Sequence, residues 1–590
     1  MRFISTIIFF FLLNFCFGQN IHLLQIDCSD KSKDFFQKKL SYKTHFKDSL
    51  QANIEVAGLL NKLRSSGYLS SSMDSIISDS LLTRIYMYVG DKFENLVLKN
   101  GNVSPSLLAN AGVKNQILNA RPLNINDVEQ IKEKLLRECE NSGYPFACVS
   151  IDSFQSNHSS YSAKIFLQKN EKIRFDSINI LGKTKMKRAF LKNYLGIKPG
   201  KAYNETNVKR IAQRLNELAF VESVQPYNVE FLNNKARINV FLKDRKSSDF
   251  DALLGFLPGS SGQKLLITGQ AHLHLVSLFG MGEDFFLEWK KLQPKTQQLD
   301  VRVSYPYLAG FPLGISARFE LYKRDTSYID LNGDYGIQYQ IIGSSYLKAS
   351  LHQHISIVTN IDTAYVKLNR TLPPNLDINA NEFALEYYLQ KLNYRFNPTS
   401  GFLLKAGGSI GVKTIKKSST ISGLYDEITG GNFNFLYDNL QRKTVQFHIG
   451  LVIEKYWCLA ARHTIKTSLD GKYFFSPKVL ENEKFRIGGM SSLRGFDDQS
   501  IFTPYYAMAN LEYRFLLSKN SYFSVFFNSA VVEDSRIQKR SVDFPFGFGV
   551  SAAIETKVGI FGITYAMGKQ LENKISFKSA KIHFGYINYF

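Results

Sequence analysis

Residues 313–321 read LGISARFEL, and this stretch decides the fold class. Every second residue is apolar, and Arg318 and Glu320 stand between them. Such alternation is typical of a β-strand whose two faces meet different surroundings. A soluble sandwich would have to bury both charges in its core at a high desolvation cost. A transmembrane barrel instead sets the apolar row against lipid and the charged row in a wet lumen.

The same alternation extends through the second half of the chain. It recurs in LDVRVSY at 299–305 and in FPFGFGVSAAIE at 544–555, and it sets in near residue 263. At about 20 residues per strand and connection, residues 263–590 predict an all-β transmembrane barrel of about 16 antiparallel strands. The aromatic share of 14% fits the aromatic girdles of such barrels.

The first half repeats with a period of 76 residues. The segments LRSSGYL at 63–69, LRECENSGYP at 136–145 and LNELAFV at 215–221 each end an amphipathic helix. The last copy predicts a β-α-α-β-β order, with strands at 172–181, 224–231 and 236–242 and helices at 187–195 and 205–220. We therefore expect α+β modules at 19–92, 93–170 and 171–245, with a linker at 246–262 before the barrel.

The N-terminal residues 1–18 are expected to be a signal peptide. Arg2 precedes an apolar stretch, and Cys16-Phe17-Gly18 suits cleavage before Gln19. No later stretch reaches the ~18 apolar residues of a membrane-spanning helix. Cys139 and Cys148 are close enough for a periplasmic disulfide, and two reduced core residues are the equal alternative.

The net charge is +22, which in an exported chain favours anionic lipid or an acidic client over nucleic acid. The third module has a basic first helix that could face membrane headgroups, and a solvated helix face is the alternative. Its residues are Lys183, Lys185, Lys187, Arg188 and Lys192.

Motifs of enzymes and metal sites carry little weight here. Residues 407–411 match the G-x-S-x-G elbow of serine hydrolases, but they lie within a predicted strand with no helix after it. His272 and His274 share a strand face, where two polar lumen residues are expected more than a metal site. No enzymatic activity, cofactor or metal is expected.

Five landmarks in order resemble the BamA/TamA superfamily of outer-membrane assembly factors, behind modules that resemble POTRA domains. They are SLFGMGE at 277–283, NPTSG at 397–401, FRIGGMSSLRGF at 485–496, NLEYRF at 510–515 and the terminal HFGYINYF at 583–590. The site residues that the resemblance implies are Gly488, Gly489, Arg494, Gly495 and Phe496 in a loop, and Phe584, Tyr586 and Phe590 in the C-terminal barrel signal.

The resemblance implies that the loop tip folds back into the barrel. There Arg494 needs a carboxylate, because an unpaired guanidinium in a confined lumen is costly. Glu512 is the predicted partner, since it alternates with Leu511 and Tyr513 and so faces inward. Asn528 stands where a second acid is usual, which weakens half of this clamp. Asn588 interrupts the last strand and predicts a weakly paired barrel seam.

The resemblance also implies a non-enzymatic factor in the outer membrane, with its modules in the periplasm. Its partners would be unfolded outer-membrane or exported β-rich proteins, outer-membrane lipid, and a periplasmic or inner-membrane protein at the modules, but no nucleic acid. Three modules look most like the TamA branch. The alternatives are a two-partner-type transporter for one exported protein, if residues 31–64 hold a plug helix, and a passive pore or structural barrel.

Overall fold

A computed structural model describes most of the chain outside the predicted signal peptide. The described residues are 22–31, 42–68, 71–79, 81–92, 96–118, 122–123, 125–157, 160–257, 266–293, 295–341, 343–394, 397–428, 430–438, 440–490, 492–534, 541–556, 559–571, 575, 577 and 580–589. The chain divides into two compact units, residues 1–174 with 202–205, and residues 175–201 with 206–590. Among the described helices none is long and apolar enough to cross a membrane.

The first sheet has one helix packed on it. Its elements are β1 His22–Cys28, β2 His45–Phe46, α1 Ser49–Ser65, β3 Ser72–Ser78 and β4 Leu82–Tyr88. The strand order is β2-β1-β4-β3, and β1 runs parallel to β4. Helix α1 begins where the Asp48 side chain accepts a hydrogen bond from the Gln51 amide, and it buries Val56, Leu59 and Leu63 against the sheet. The helical pattern at 49–64 therefore belongs to this small domain, whereas residues 32–41 lie outside the described residues.

The second sheet repeats the arrangement with more helices. Its elements are β5 Leu96–Asn100, α2 Pro105–Asn110, α3 Lys114–Leu118, β6 Pro122–Leu123, α4 Ile125–Asn141, β7 Cys148–Asn157 and β8 Ser160–Gln168. The strand order is β6-β5-β8-β7, with β5 parallel to β8. Cys139 is buried in this core, whereas Cys148 is exposed, and both thiols are free. The structure therefore supports the core interpretation of Cys139 and contains no disulfide between the two.

The third sheet lies in the second unit. Its elements are β9 Arg174–Leu181, α5 Arg188–Leu195, α6 Glu205–Lys209, α7 Ile211–Glu217, β10 Val221–Leu232 and β11 Lys235–Asp244, in the strand order β10-β11-β9. The helix predicted over 205–220 is broken at Arg210 and ends at Glu217. In all three sheets the first strand lies beside the last one, so the predicted repeat is structural as well.

A large antiparallel sheet forms the rest of the chain. Its strands are β12 Asp249–Leu257, β13 Leu266–Val276, β14 Asp284–Gln293, β15 Thr296–Tyr305, β16 Leu313–Arg324, β17 Tyr328–Gln340, β18 Tyr346–Val358, β19 Ile378–Leu392, β20 Gly401–Ile415, β23 Lys443–Ala460, β24 His463–Phe475, β27 Tyr505–Leu516, β28 Tyr522–Asp534, β29 Ser541–Asp543, β30 Phe546–Thr556, β31 Gly559–Lys569 and β32 Lys581–Tyr589. Two short hairpins lie in its loops, β21 Tyr425–Asp426 with β22 Gly431–Asn432, and β25 Phe485–Ile487 with β26 Ile501–Thr503.

The predicted fold class of α+β modules followed by a barrel is confirmed. Strands β29 and β30 follow each other along the chain and both pair with β28, so together they occupy one strand position. The seventeen described barrel segments therefore fill sixteen strand positions. The alternation also holds, because Ile315 and Phe319 are exposed on the outer face while Arg318 pairs with the buried Asp300 inside, at 3.0 Å.

The predicted linker at 246–262 was wrong over residues 249–257, and residues 258–262 lie outside the described structure. Residues 249–257 are strand β12, which pairs in register with β13 from Asp249–His274 to Leu257–Leu266, so the barrel begins at 249 and not at 263. The turn-forming residues Pro258-Gly259-Ser260-Ser261-Gly262 made the whole stretch look like a connection. The strand before them is only nine residues long and carries the run Ala252-Leu253-Leu254, which breaks its alternation.

The two ends of the barrel differ in their connections. Short turns lie at the end where the third sheet is docked, for example 277–283 and 461–462. Long connections lie at the far end, at 359–377, 416–442 and 476–504. Short periplasmic turns and long outer loops are the usual pattern of outer-membrane barrels. The far-end loops share a small core of Val366, Ile421, Phe433 and Tyr437.

Candidate functional site: the barrel seam and the loop inside the lumen

The seam between the first and last barrel strands is barely paired. Among the described residues, strands β12 and β32 share only the pairs Asp249–Tyr589 and Phe250–Asn588. By contrast, β12 pairs with β13 at nine positions and β31 with β32 at seven. Beyond Phe250, therefore, β12 and β32 present backbone edges that do not pair with each other, and Asn588 lies in one of the two pairs that remain.

The C-terminal signal residues fall partly outside the described structure. Phe584 is 76% exposed on the outer face. The backbone of Tyr586 pairs with Phe561 of β31, and Phe590 lies outside the described residues. The role of this strand as a recognition signal stays a prediction.

The connection 476–504 folds into the lumen as the hairpin of β25 and β26. Gly488 and Gly489 follow β25 with φ of 120° and 88°, and a Cβ at either would overlap the chain at Asp497 or Asp498. Only glycine permits this tight return. On one side the loop contacts the wall through Arg486, whose Nη1 lies 3.2 Å from Asp330 Oδ2.

Arg494 at the loop tip contacts the opposite wall. Its Nη2 lies 3.1 Å from Glu512 Oε2, so the contact expected from the sequence is present. Its Nε donates to Asn528 Oδ1 at 3.2 Å, and its Nη2 donates to Asn510 Oδ1 at 2.7 Å. The guanidinium also lies 3.5 Å from the centre of the Phe526 ring, within the range of a cation–π interaction. Asn528 thus takes the place of the missing acid as a neutral acceptor.

Two further polar residues belong to this cluster and were not predicted from the sequence. Asn510 and Arg514 lie on the same inward face as Glu512, two residues to either side, and the alternation of NLEYRF could have revealed both. Arg514 Nε donates to Glu512 Oε1 at 2.8 Å. Glu512 is therefore a buried carboxylate between two arginines, which offsets part of their desolvation.

The backbone of the loop tip fits a notch of two glycines. Gly547 and Gly568 are cross-strand partners on β30 and β31. A Cβ at Gly547 would overlap the Arg494 carbonyl, and one at Gly568 would lie 2.7 Å from the Gly495 carbonyl oxygen. Gly495 itself has φ of 96° and has no room for a side chain beside Met567. Close approach of two backbones requires these glycines, and nothing in the sequence around them predicted the contact.

The loop reaches the last strand as well. Asp497 Oδ1 lies 2.6 Å from Lys581 Nζ at the start of β32. Phe496 packs on the apolar cluster around Leu493 and Tyr506. The loop 476–504 thus joins the strands next to the seam to the rest of the inner wall.

The lumen holds a cavity lined by many charged and polar side chains. Its volume is about 1420 Å³. Its lining includes Phe190, Tyr194 and Phe220 of the third sheet's domain, and Phe485 and Arg486 of the loop.

The third domain is docked on the short turns of the barrel through α5. The Lys187 amide donates to the Gly280 carbonyl at 2.9 Å, and Asn193 Nδ2 donates to the Gly310 carbonyl at 2.6 Å. A Cβ at Gly282 would overlap the Phe190 ring. The glycines of SLFGMGE are therefore needed because this helix packs directly against the turn.

The predicted basic face lies on this docked segment. Lys183, Lys185, Lys187 and Arg188 are exposed, and Lys192 is half-buried. The residues between them, Met186, Phe190 and Leu191, are buried.

The surroundings of Ser409 and His274 do not have the geometry of a hydrolase triad or of a metal site. Ser409 lies within β20, without a turn or helix, and its hydroxyl donates to Glu382. His448 Nδ1 faces both groups, at 3.4 Å from Ser409 and 3.0 Å from Glu382, so the ring does not bridge them as a triad base does. His274 Nδ1 lies 3.2 Å from Asp249 Oδ2, and its Nε2 lies 2.8 Å from Asp284 Oδ2. Within the described part of the chain, no group of three His, Cys, Asp or Glu residues could hold a metal ion.

Comparison with known proteins gives two family matches. The family described as the Omp85 superfamily domain matches residues 277–586, and the POTRA family, described as surface antigen variable number repeat, matches residues 173–245. No curated protein matches the chain.

Several solved structures are similar to the chain at low identity. CdiB from Escherichia coli is 12% identical with a TM-score of 0.51, over 92% of this chain and 98% of its own. CdiB from Acinetobacter baumannii is 14% identical with a TM-score of 0.49, over 92% and 98%. BamA from Haemophilus ducreyi lacking POTRA domains 1–3 is 15% identical with a TM-score of 0.39, over 84% and 98%. At 12% identity the likeness to CdiB from Escherichia coli concerns the fold alone.

Proposed function

Because the chain belongs to the Omp85 superfamily, we propose that it inserts or translocates β-rich proteins at the outer membrane, and that the seam between β12 and β32 is where it acts. The observation that carries the proposal is the seam itself, which has two residue pairs where neighbouring strands have seven to nine. Unpaired strand edges accept an incoming strand through main-chain hydrogen bonds. No bond is made or broken in such a step, so it requires no catalytic residue.

The edges of the small sheets support the capture of extended clients. Strand β3 is an edge strand whose Met73, Ile76 and Ile77 are exposed, at 41%, 42% and 60%. Strand β10 is an edge strand with exposed Val224 and Leu232. Exposed apolar side chains along an open edge suit the addition of a strand from an unfolded protein. The barrel then lies in the outer membrane, with these domains in the periplasm.

Two features favour an assembly factor of the TamA type over the alternatives. Helix α1 packs on the first sheet, which supports three tandem domains rather than a plug helix followed by two. The loop in the lumen, which contacts the wall through Arg486 and Arg494, speaks against a passive pore.

Depletion of the protein, followed by a quantitative census of outer-membrane proteins, tests the proposal. A broad loss of barrel proteins is expected. Loss of a single exported protein would instead identify a dedicated two-partner-type transporter. No loss of any protein would indicate a passive pore or structural barrel. Photocrosslinking from Ile77 on the β3 edge in living cells should capture unfolded clients, and the same probe at Ile26 in the core is the control.

A further inference from the structure

The docked end of the barrel presents a surface on which positive charge and apolar side chains lie side by side. Residues 183–192 read KTKMKRAFLK, with five basic residues and no acid. The buried side chains between them anchor this segment to the domain, so the basic ones point away from the core.

Two barrel turns border this segment and hold exposed apolar side chains. In the turn 277–283, Leu278 is 47% exposed and Phe279 is 72% exposed. In the turn 306–312, Leu308 is 49% exposed and Phe311 is 65% exposed. The hydrogen bonds of Gly280 and Gly310 to α5 hold both turns beside the basic segment.

The apolar turn tips are continuous with the membrane-facing wall of the barrel. Phe311 is followed along β16 by the exposed outward residues Leu313 and Ile315. A surface that is apolar next to the bilayer and basic just beyond it matches the interface of an anionic membrane, where lysine and arginine meet the phosphates.

We propose that this surface, formed by Lys183, Lys185, Lys187 and Arg188 with Phe279 and Phe311, binds anionic phospholipid headgroups of the periplasmic leaflet next to the first barrel strands. The apolar tips enter the interface, and the basic side chains hold phosphates. The binding would fix the third domain against the membrane beside the seam. The proposal requires the barrel to lie in a membrane but does not depend on which clients the protein handles.

Quenching of a tryptophan reporter by brominated lipids tests the proposal on the full mature chain. The reporter is Phe279→Trp, measured in nanodiscs against the parent protein, whose own tryptophans are Trp289 and Trp457. Brominated phosphatidylglycerol should quench the reporter at least about twofold more than brominated phosphatidylcholine at equal mole fraction. The preference should shrink when the salt concentration rises to about 0.5 M, where the Debye length is roughly 4 Å.

The matched variants separate this surface from net charge. Lys183→Gln/Lys185→Gln/Lys187→Gln should abolish the preference for phosphatidylglycerol. Lys198→Gln/Lys201→Gln should keep it, because these exposed lysines lie near the Phe175 end of β9, about 20 Å along the strand from Leu181. Equal quenching by both lipids, no quenching by either, or an unchanged preference in the triple variant would overturn the proposal. A fluorescence change caused by polyglutamate and not by the anionic lipid would show a protein site instead, and would overturn it as well.

Discussion

At the scale of single residues, the lumen cluster around Glu512 holds two buried arginines with one carboxylate. Arg494 and Arg514 both contact this carboxylate, and Asn510 and Asn528 add neutral acceptors. The cluster therefore has a net positive charge, and the Glu512 carboxylate is the counter-charge of both arginines.

We expect Glu512→Ala to destabilise the barrel more than Arg494→Ala. The first change leaves two buried guanidinium groups without a counter-charge, which costs about 3–5 kcal/mol. The second removes charged hydrogen bonds worth about 2–3 kcal/mol but leaves Glu512 paired with Arg514. The temperature at which the heat-modifiable band shifts on gels measures both effects. The exposed Arg462→Ala is the control, and wild-type behaviour of both lumen variants would refute the cluster's role.

Asn528→Asp should stabilise the loop. It restores an acid that accepts from Arg494 Nε, 3.2 Å away, and so balances the second arginine. We expect a gain of about 1 kcal/mol, in the range of a neutral hydrogen bond that becomes charge-assisted. The temperature at which the band shifts on gels measures this gain. A loss of stability would mean that a second carboxylate in the cluster is unfavourable.

At the scale of elements, the loop 476–504 is held by shape as well as by charge. The Gly547 and Gly568 notch lets its backbone lie directly on β30 and β31. This contact joins segments that are far apart in the sequence, so no local pattern could have predicted it. The inward position of Glu512 was predictable because strand alternation is local.

Gly547→Ala should displace the loop tip from the wall. A methyl group there would overlap the Arg494 carbonyl, and such overpacking typically costs about 1–3 kcal/mol. Protease cleavage within residues 488–500 of the folded barrel should accelerate. Gly562→Ala is the matched control on β31, because its nearest neighbour beyond the adjoining residues would be 3.8 Å away. Equal protection of the two variants would contradict the notch.

The barrel strands themselves were predictable except at their start. Alternation identified the strands around Arg318 and Phe548, because lipid and lumen impose opposite polarity on the two faces. Strand β12 was missed because Pro258 and Gly259 directly follow a short strand with weak alternation. The error matters, since β12 is one side of the seam.

At the scale of the whole molecule, the third domain and the barrel form one unit joined through α5. Glu217 of α7 lies in this contact. Its Oε2 accepts from Tyr194 Oη at 3.3 Å, and Gly343 of a barrel turn lies close by. Arg214 and Tyr307 are the other ionisable groups that face this region.

The docking of the third domain should weaken as the pH rises through about 7. Burial raises the pKa of the Glu217 carboxyl from 4.5 to about 7, despite hydrogen bonds that oppose the shift. The stabilisation by the protonated form is therefore complete below pH 4.5 and lost once the carboxyl ionises near pH 7. The effect is at most about 3 kcal/mol. Hydrogen exchange of the α5 amides, corrected for intrinsic rates, should show protection that falls with pH, and Glu217→Gln should remove the dependence. An identical pH profile in the variant would contradict this origin.

A reversible lock on the seam tests most directly whether the protein works by opening between β12 and β32. In a chain with Cys28, Cys139, Cys148 and Cys458 replaced by serine, cysteines at Phe250 and Asn588 occupy paired positions and can form a disulfide between β12 and β32. The control pair, at Ala349 and Leu385, joins strands β18 and β19, which are fully paired already. We expect the oxidised seam lock to abolish outer-membrane protein assembly in a depletion strain, reductant to restore it, and the control lock to have no effect. Normal assembly with the seam fully cross-linked would show that the seam need not open.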